Sequence, residues 1–275
     1  MPVARRKLVR SFLSAWLQLE LEFLVSTALT VTATVAFPPW NRTAGFTSRS
    51  HQSITGDAFE ALAGEFFGIS RLTGPMRRAL DRIVDANAAV DEDQVHSALH
   101  FDGESFPEGQ TRIIALRARV IDRLAADDAD GARDALGQAL HTVQDFYSHS
   151  NWVELGNTGP NPDLGRPGRA LRRLPSTTAT CIGSMLVTSE LTSGYYGGQD
   201  RVLPQGKCRH GGPFDSSPGS GGINKDTPVE VLSPHAAQHH AGADLAEQAT
   251  EQFIRDIKEV VTSEQLRLLF EVGPS

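Results

Sequence analysis

The chain has only two cysteines, Cys181 and Cys208, and neither falls in a zinc-finger spacing, which excludes a thiolate-held structural metal. In a Gly- and Ser-rich stretch, the natural reading of the two is a disulfide. Such a bridge needs an oxidising compartment and would contribute on the order of 3 kcal/mol through loop closure. The alternative is a pair of buried thiols. There is no Gly-rich phosphate loop, no serine nucleophile elbow and no internal repeat. Nucleotide-binding folds of the P-loop kind, serine hydrolases of the elbow kind and solenoids are thereby set aside. Long apolar runs are also missing. The longest largely apolar, uncharged stretch, Phe23 to Phe37, spans 15 residues, short of the about 20 that cross a bilayer as a helix. Aromatics are sparse at 7%, but 40% hydrophobic and 21% charged residues are ordinary for a globular chain. Disorder, collagen and a polytopic membrane protein are excluded.

The chain does have a basic start, Arg5, Arg6, Lys7 and Arg10, ahead of that apolar stretch and the small residues Thr34-Val35-Ala36. This reads as an export signal over residues 1–36, with a secreted or extracytoplasmic domain over 37–275. The other reading is a buried amphipathic helix, since Glu20 and Glu22 interrupt the apolar run. The formal net charge is −7, and losing a leader with four basic and two acidic side chains would take it to −9. That acidity argues against broad attraction to nucleic acid or anionic lipid, unless cations at a site reverse the local sign.

Apolar positions recur at helical spacing: Phe59, Leu62, Phe66 and Phe67 before Gly68, then a helix over 72–87. Ile113, Leu116, Val120, Ile121 and Leu124 mark the next, and Leu136, Ala139, Leu140, Val143 and Phe146 another. A long helix follows Pro234, with Ala237, Ala241, Leu245, Ala249, Phe253, Ile254 and Ile257 inward. Between about 156 and 232 the period is lost to Gly, Pro, Ser and Thr, which predicts an irregular insertion pinned by the cysteines. The fold class expected is all-α.

The chemistry-bearing residues sit on this frame. At about 100° per residue, His141, Asp145 and His149 lie within roughly 80° of one another on one helix flank. Leu140, Val143 and Phe146 beside them are apolar, so a partner is required. Zinc suits imidazole and carboxylate at i, i+4. A buried His bonded to one Asp would explain any of them singly. Asp91, following Val90, and His100 are the better ligand candidates upstream, while Asp93 and Glu92 read as solvated. His51 alone reads as a surface residue at a helix start. Near the C-terminus, His235 with His239 and His240 with Asp244 are two i, i+4 pairs, of which only one can face inward.

Taken together, this order resembles that of zinc-dependent phospholipases C and fungal single-strand nucleases, which are helical and hold three zinc ions. A fuller local likeness is to the Het-C group, named for a fungal heterokaryon-incompatibility protein and also found fused to von Willebrand A domains. It is carried by Ile83 to Asp102, Leu140 to Leu155, Thr192-Ser193-Gly194-Tyr195-Tyr196, Lys207-Cys208-Arg209-His210-Gly211-Gly212 and Ile223-Asn224-Lys225-Asp226. The resemblance implies a phospholipase C-like helical bundle with up to three zinc ions. Asp145 would bridge two of them, with Asp91, His100 and His141 completing one site and His51 contributing to the other. His149 with a pair from the last helix would hold the third. The phospholipases pair His with Glu or Asp there, favouring His240 with Asp244, whereas the Het-C-like Ser-Pro-His context favours His235 with His239.

The chain departs from the phospholipases in having no N-terminal Trp ligand unless Trp40 serves, and in a shorter step from Asp145 to His149. The implied activity is hydrolysis of a phosphoric ester, phospholipid among the candidates, by a metal-activated water, with Asp91 and Asp145 in the catalytic machinery and Ser148, Asn151 and Tyr195 as pocket candidates. Two alternatives stay open on the same scaffold. One is a toxin-like protein acting on membranes or partner proteins without catalysis, and the other a secreted module with one structural zinc.

Overall fold

Helix α4 (Ala129–His149) is the element around which the rest is arranged, and in a computed structural model describing residues 48–218 and 221–273 it is buried on every side over its last three turns. Around it pack α2 (Gly74–Ala88), α3 (Phe106–Ala125) and α5 (His239–Lys258), while α1 (His51–Phe67) lies on α5 and α2 and α6 (Ser263–Phe270) closes one end. The all-α expectation holds. The signal expected over 1–36, and Trp40, lie outside the described residues. Among the described residues no helix is long and apolar enough to cross a membrane.

Local chemistry sets the helix ends. Ser50 caps α1 by accepting from Ser53 N–H while the Ser53 hydroxyl reaches back, a reciprocal pair that satisfies two orphan groups. Gly68 ends the helix with φ 67°, the left-handed stop expected of that glycine. Thr73, Asp128 and Thr262 cap α2, α4 and α6, each accepting the backbone N–H three residues on, and Thr262 alone of these shares the reciprocal pair. α4 and α2 come close at Gly137, where a Cβ would lie 2.2 Å from the Ile83 carbonyl oxygen. Only glycine lets α4 and α2 come this near, and the approach is what brings Asn87 over His141.

The stretch 156–232 is irregular as expected. Its regular structure, among the described residues, is the two-stranded antiparallel pair β1 (Cys181–Ile182) and β2 (Met185–Leu186). Cys181 and Cys208 form a disulfide. The insertion is joined to the end of α4 through its backbone: Gly194 N–H donates to His149 O at 3.2 Å, Asn151 N–H to Thr192 O at 3.0 Å, and Lys225 N–H to Ser148 O at 3.1 Å. A fully buried ion pair, Lys207 to Glu104 at 2.8 Å, adds a second attachment.

Candidate metal centre

Because α4 is interior, its His141–Asp145–His149 flank has nowhere to send its polar atoms except toward other elements. Asp145, fully buried, receives three imidazoles: His51 from the first turn of α1 (Nε2 to Oδ1, 3.1 Å), His100 from the loop after α2 (Nδ1 to Oδ2, 2.9 Å) and His141 one turn back (Nε2 to Oδ2, 3.0 Å). Asp91 joins them, its Oδ1 3.5 Å from His141 Nε2, and His100 Nδ1 lies 3.2 Å from that same nitrogen. His51, read alone as a surface residue, is 1% exposed, because the start of α1 docks beside α4.

The far nitrogen of each imidazole is held by a fixed acceptor. His51 Nδ1–H donates to Gln144 Oε1 (2.5 Å), His141 Nδ1–H to Asn87 Oδ1 (3.1 Å) and His100 Nε2–H to the Asp93 carbonyl (2.9 Å). Asn87 Nδ2–H in turn donates to Gln144 Oε1, which fixes both amides, and Gln144 Nε2–H is taken by Thr55 and Thr250. With those tautomers set, the near nitrogens point lone pairs at a carboxylate. Such an array of acceptors requires protons or cations between its members.

Several observations bear on which. Tetrahedral zinc with ligands at about 2.0–2.1 Å has ligand–ligand edges of about 3.3–3.4 Å, and the contacts among Asp91, His100, His141 and Asp145 fall between 2.9 and 3.5 Å. Both oxygens of Asp91 and Oδ1 of Asp145 are buried with no hydrogen bond, a costly arrangement for carboxylates left alone. The donor set therefore fits a divalent cation among Asp91, His100, His141 and Asp145 Oδ2, while His51 and Asp145 Oδ1 offer two donors on the side of a second. Metal-free, the charges redistribute. Burial pushes the Asp91 carboxyl up to about 7, against the pull of His51. Burial opposes charge on His100, but the hydrogen bond and charge of Asp145 carry it up to about 9, and they raise His51 too. Burial, only partly offset by Asp145, holds His141 down to about 3. Asp145 stays well below the usual carboxylate range, the three imidazoles outweighing its burial.

His149 is turned away from this group. Its Nδ1–H donates to the His100 carbonyl at 2.8 Å, and its Nε2 faces His210 Nε2 at 3.1 Å and Asp226 Oδ1 at 3.2 Å, both from the insertion. The last helix supplies neither its expected pair. Residues 236–238 form a tighter 3₁₀ turn and α5 begins only at His239, so His235 and His239 do not share a helix flank. His235 is bonded to Glu154, and both ring nitrogens of His239 are engaged by backbone, Nδ1 by Lys225 O and Nε2 by Arg49 N–H. His240 is exposed and Asp244 faces Arg49 at the surface. Asn151 and Tyr195 tie the insertion down through Thr192 and Glu104, and Ser148 donates to Asp226. Asn87 and Gln144 were not singled out from sequence, though buried amides beside a ligand-bearing helix would be the signal for them.

Three relatives are similar over most of the chain, each named von Willebrand factor A domain-containing protein 7. The rat protein is 36% identical over 242 residues (82% of this chain), the mouse protein 39% over 213 (72%) and the human protein 38% over 238 (81%). The chain spans about a quarter of their length (27%, 23% and 26%). No solved structure matches it. The VWA7 N-terminal domain family matches residues 57–267, a span that takes in Asp91, His100, His141, Asp145 and His149. The von Willebrand A association expected from the sequence is thus borne out, and the chain belongs to the VWA7 N-terminal domain family.

Proposed function

We propose that this chain is a secreted, zinc-dependent phosphoric ester hydrolase, phospholipase C-like and related to the Het-C and single-strand nuclease groups. The observation that carries the reading is Asp145 with one oxygen toward His51 and the other toward His100 and His141, beside an Asp91 whose oxygens lack hydrogen bonds. Zinc held there would lower the pKa of water to near neutrality and offset charge on phosphoryl oxygens. The chain's own part is positional. Asn87 and Gln144 keep the imidazoles in the ligating tautomer, and Asp145 sets the spacing of the two positions. Asp91, 8% exposed and the least buried of the five, would orient the attacking water, take its proton and return it to the leaving oxygen as the ester bond breaks. Export agrees with the Cys181–Cys208 bridge.

The test is metal content of protein purified without chelator, together with turnover of a chromogenic phosphodiester and of phospholipid vesicles. Absence of zinc, or turnover unchanged by Asp145→Asn and Asp91→Asn, sinks the proposal. The near-complete burial of all five residues favours a second reading, a non-catalytic membrane- or partner-binding module with structural zinc. Zinc bound without turnover, with vesicle leakage that survives Asp145→Ala, decides for it.

A further inference from the structure

The disulfide that pins the insertion carries a short hairpin whose end is open to solvent. β1 and β2 pair Cys181 with Leu186 and Ile182 with Met185, and Gly183 at φ 59° allows the two-residue turn Gly183-Ser184 between them. The base is held to the next turn by the Cys181–Cys208 bridge and by the Gly206 carbonyl, which accepts Thr180 N–H (2.7 Å) and Cys181 N–H (3.0 Å). Past that base the side chains are apolar and point outward. Ile182 is 62% exposed, Met185 64% and Val187 43%, and Val202, four residues before Gly206, is 87% exposed. Residues 174–189 carry no charged side chain. Single exposed aliphatic residues need no explanation, but an uncharged run that ends in a protruding apolar tip does.

Charge around the base is opposite in sign to that of the chain as a whole. Residues 165–210 hold seven Lys and Arg against Glu190 and Asp200, a net +5 in a chain of net −7. Lys207, next to Gly206, and Arg173 converge on Glu104, one at its carboxylate (2.8 Å) and the other at its carbonyl (2.8 Å), which places Arg173 beside the hairpin base. Arg173 and Arg201 share the single carboxylate of Glu108, and Arg172, exposed, has no ion-pair partner among the described residues. A surplus of guanidinium therefore flanks the apolar tip.

We propose that this hairpin is a membrane-contact element: Ile182, Met185 and Val187 enter the headgroup layer of a bilayer while Arg172, Arg173 and Arg201 meet the phosphates of anionic phospholipid. Shape selects lipid over a second protein. A convex tip of a few side chains covers much less than the about 1,200 Å² of a stable protein interface, whereas lipid surrounds such a tip on every side. The Ser and Thr flanks bring no ion out of water, and the disulfide fixes the hairpin beforehand, so little order is lost on contact. The contact does not depend on hydrolysis at the Asp145 centre.

The experiment uses the chain as recovered from an exporting host, so that an apolar leader removed on export is not what meets the lipid. It is sedimented with sucrose-loaded vesicles of phosphatidylcholine, with and without about one third phosphatidylserine. Wild type is expected to sediment with the phosphatidylserine vesicles and to be released as salt rises. Ile182→Asp combined with Met185→Asp should lower the partition coefficient at least about tenfold. Arg172→Glu should lower it at least about fivefold on the phosphatidylserine vesicles and leave pure phosphatidylcholine unaffected. In Met185→Trp, the added emission should shift to shorter wavelength on vesicles and be quenched by brominated lipid, which reads the tip itself. Asp145→Asn should bind as wild type does, so failure of the metal centre and failure of the contact are told apart. Wild type left in the supernatant, unchanged partition of the double variant, or unshifted emission in Met185→Trp overturns the assignment. So does a monomer–dimer equilibrium that the double variant abolishes, since the occupant would then be a second copy of the chain.

Discussion

Replacing Asp145 with Asn keeps the shape of a fully buried side chain and removes the one charge that both positions of the paired centre share. At free zinc one hundredfold above the dissociation constant, each filled site stabilises the native state by about 2.7 kcal/mol, so two sites contribute about 5 kcal/mol. For a domain of this size each kcal/mol raises the melting temperature by about 2–4 °C, so the two sites together should raise it by about 10–20 °C. The assay is differential scanning calorimetry of chelator-stripped and zinc-loaded protein, wild type and Asp145→Asn. Asparagine offers one weakly ligating carbonyl oxygen where aspartate offers two anionic ones. The variant should therefore lose the response of the paired centre. Comparing zinc-induced shifts, rather than absolute temperatures, removes any destabilisation common to both metal states. The reasoning is refuted if stripped and loaded wild type melt together, or if Asp145→Asn gains the whole shift.

Asn87→Ala removes the acceptor that fixes the His141 tautomer, and zinc titration should show the paired centre weakened about 10–100-fold with the fold intact by circular dichroism. Gly137→Val drives a side chain into the Ile83 carbonyl and should cost at least about 1–3 kcal/mol in urea unfolding, through separation of α2 from α4. Lys207→Met leaves the Glu104 carboxylate buried and facing Thr192 and Tyr195, at a cost of about 3–5 kcal/mol, while adding Glu104→Leu should recover most of it. Equal stability of the single and double variants would show that the pair is not what makes the single change costly.

How much of this was legible depended on whether the residues share a helix. His141, Asp145 and His149 could be placed on one flank because an α-helix fixes their angular relation within the sequence itself. Asp91 and His100 were legible by type and neighbours, and the disulfide from the count of cysteines. What sequence could not supply was the partner of His149. His210 and Asp226 stand in an aperiodic stretch, and they converge only through the disulfide, the Gly194 contact with His149 O and the Lys225 contact with Ser148 O. His235 and His239 do not pair for a local reason, since the i, i+4 argument assumes helix from His235 onward and the α-helix starts four residues later, whereas His240 and Asp244 do share the helix but on its exposed face.

The three residues His100-Phe101-Asp102 join the Asp145 centre to His149. Side chains two residues apart share one face of an extended segment and lie about 200° apart on a helix; here His100 reaches Asp145 and Asp102 approaches His149, one turn further along the same flank of α4. What redirects the chain is Phe101, held at φ 56°, a left-handed conformation that costs a non-glycine residue about 1–2 kcal/mol. The ring is wholly buried against Phe106 and Phe146, and burying an aromatic side chain is worth about as much or more, so packing can hold the turn in place. The His100 carbonyl also accepts the Nδ1–H of His149. A strained turn, kept by apolar contact, therefore sets the imidazole of His100 and the tautomer of His149. A displacement of Phe101 would misplace His100 and Asp102 at once.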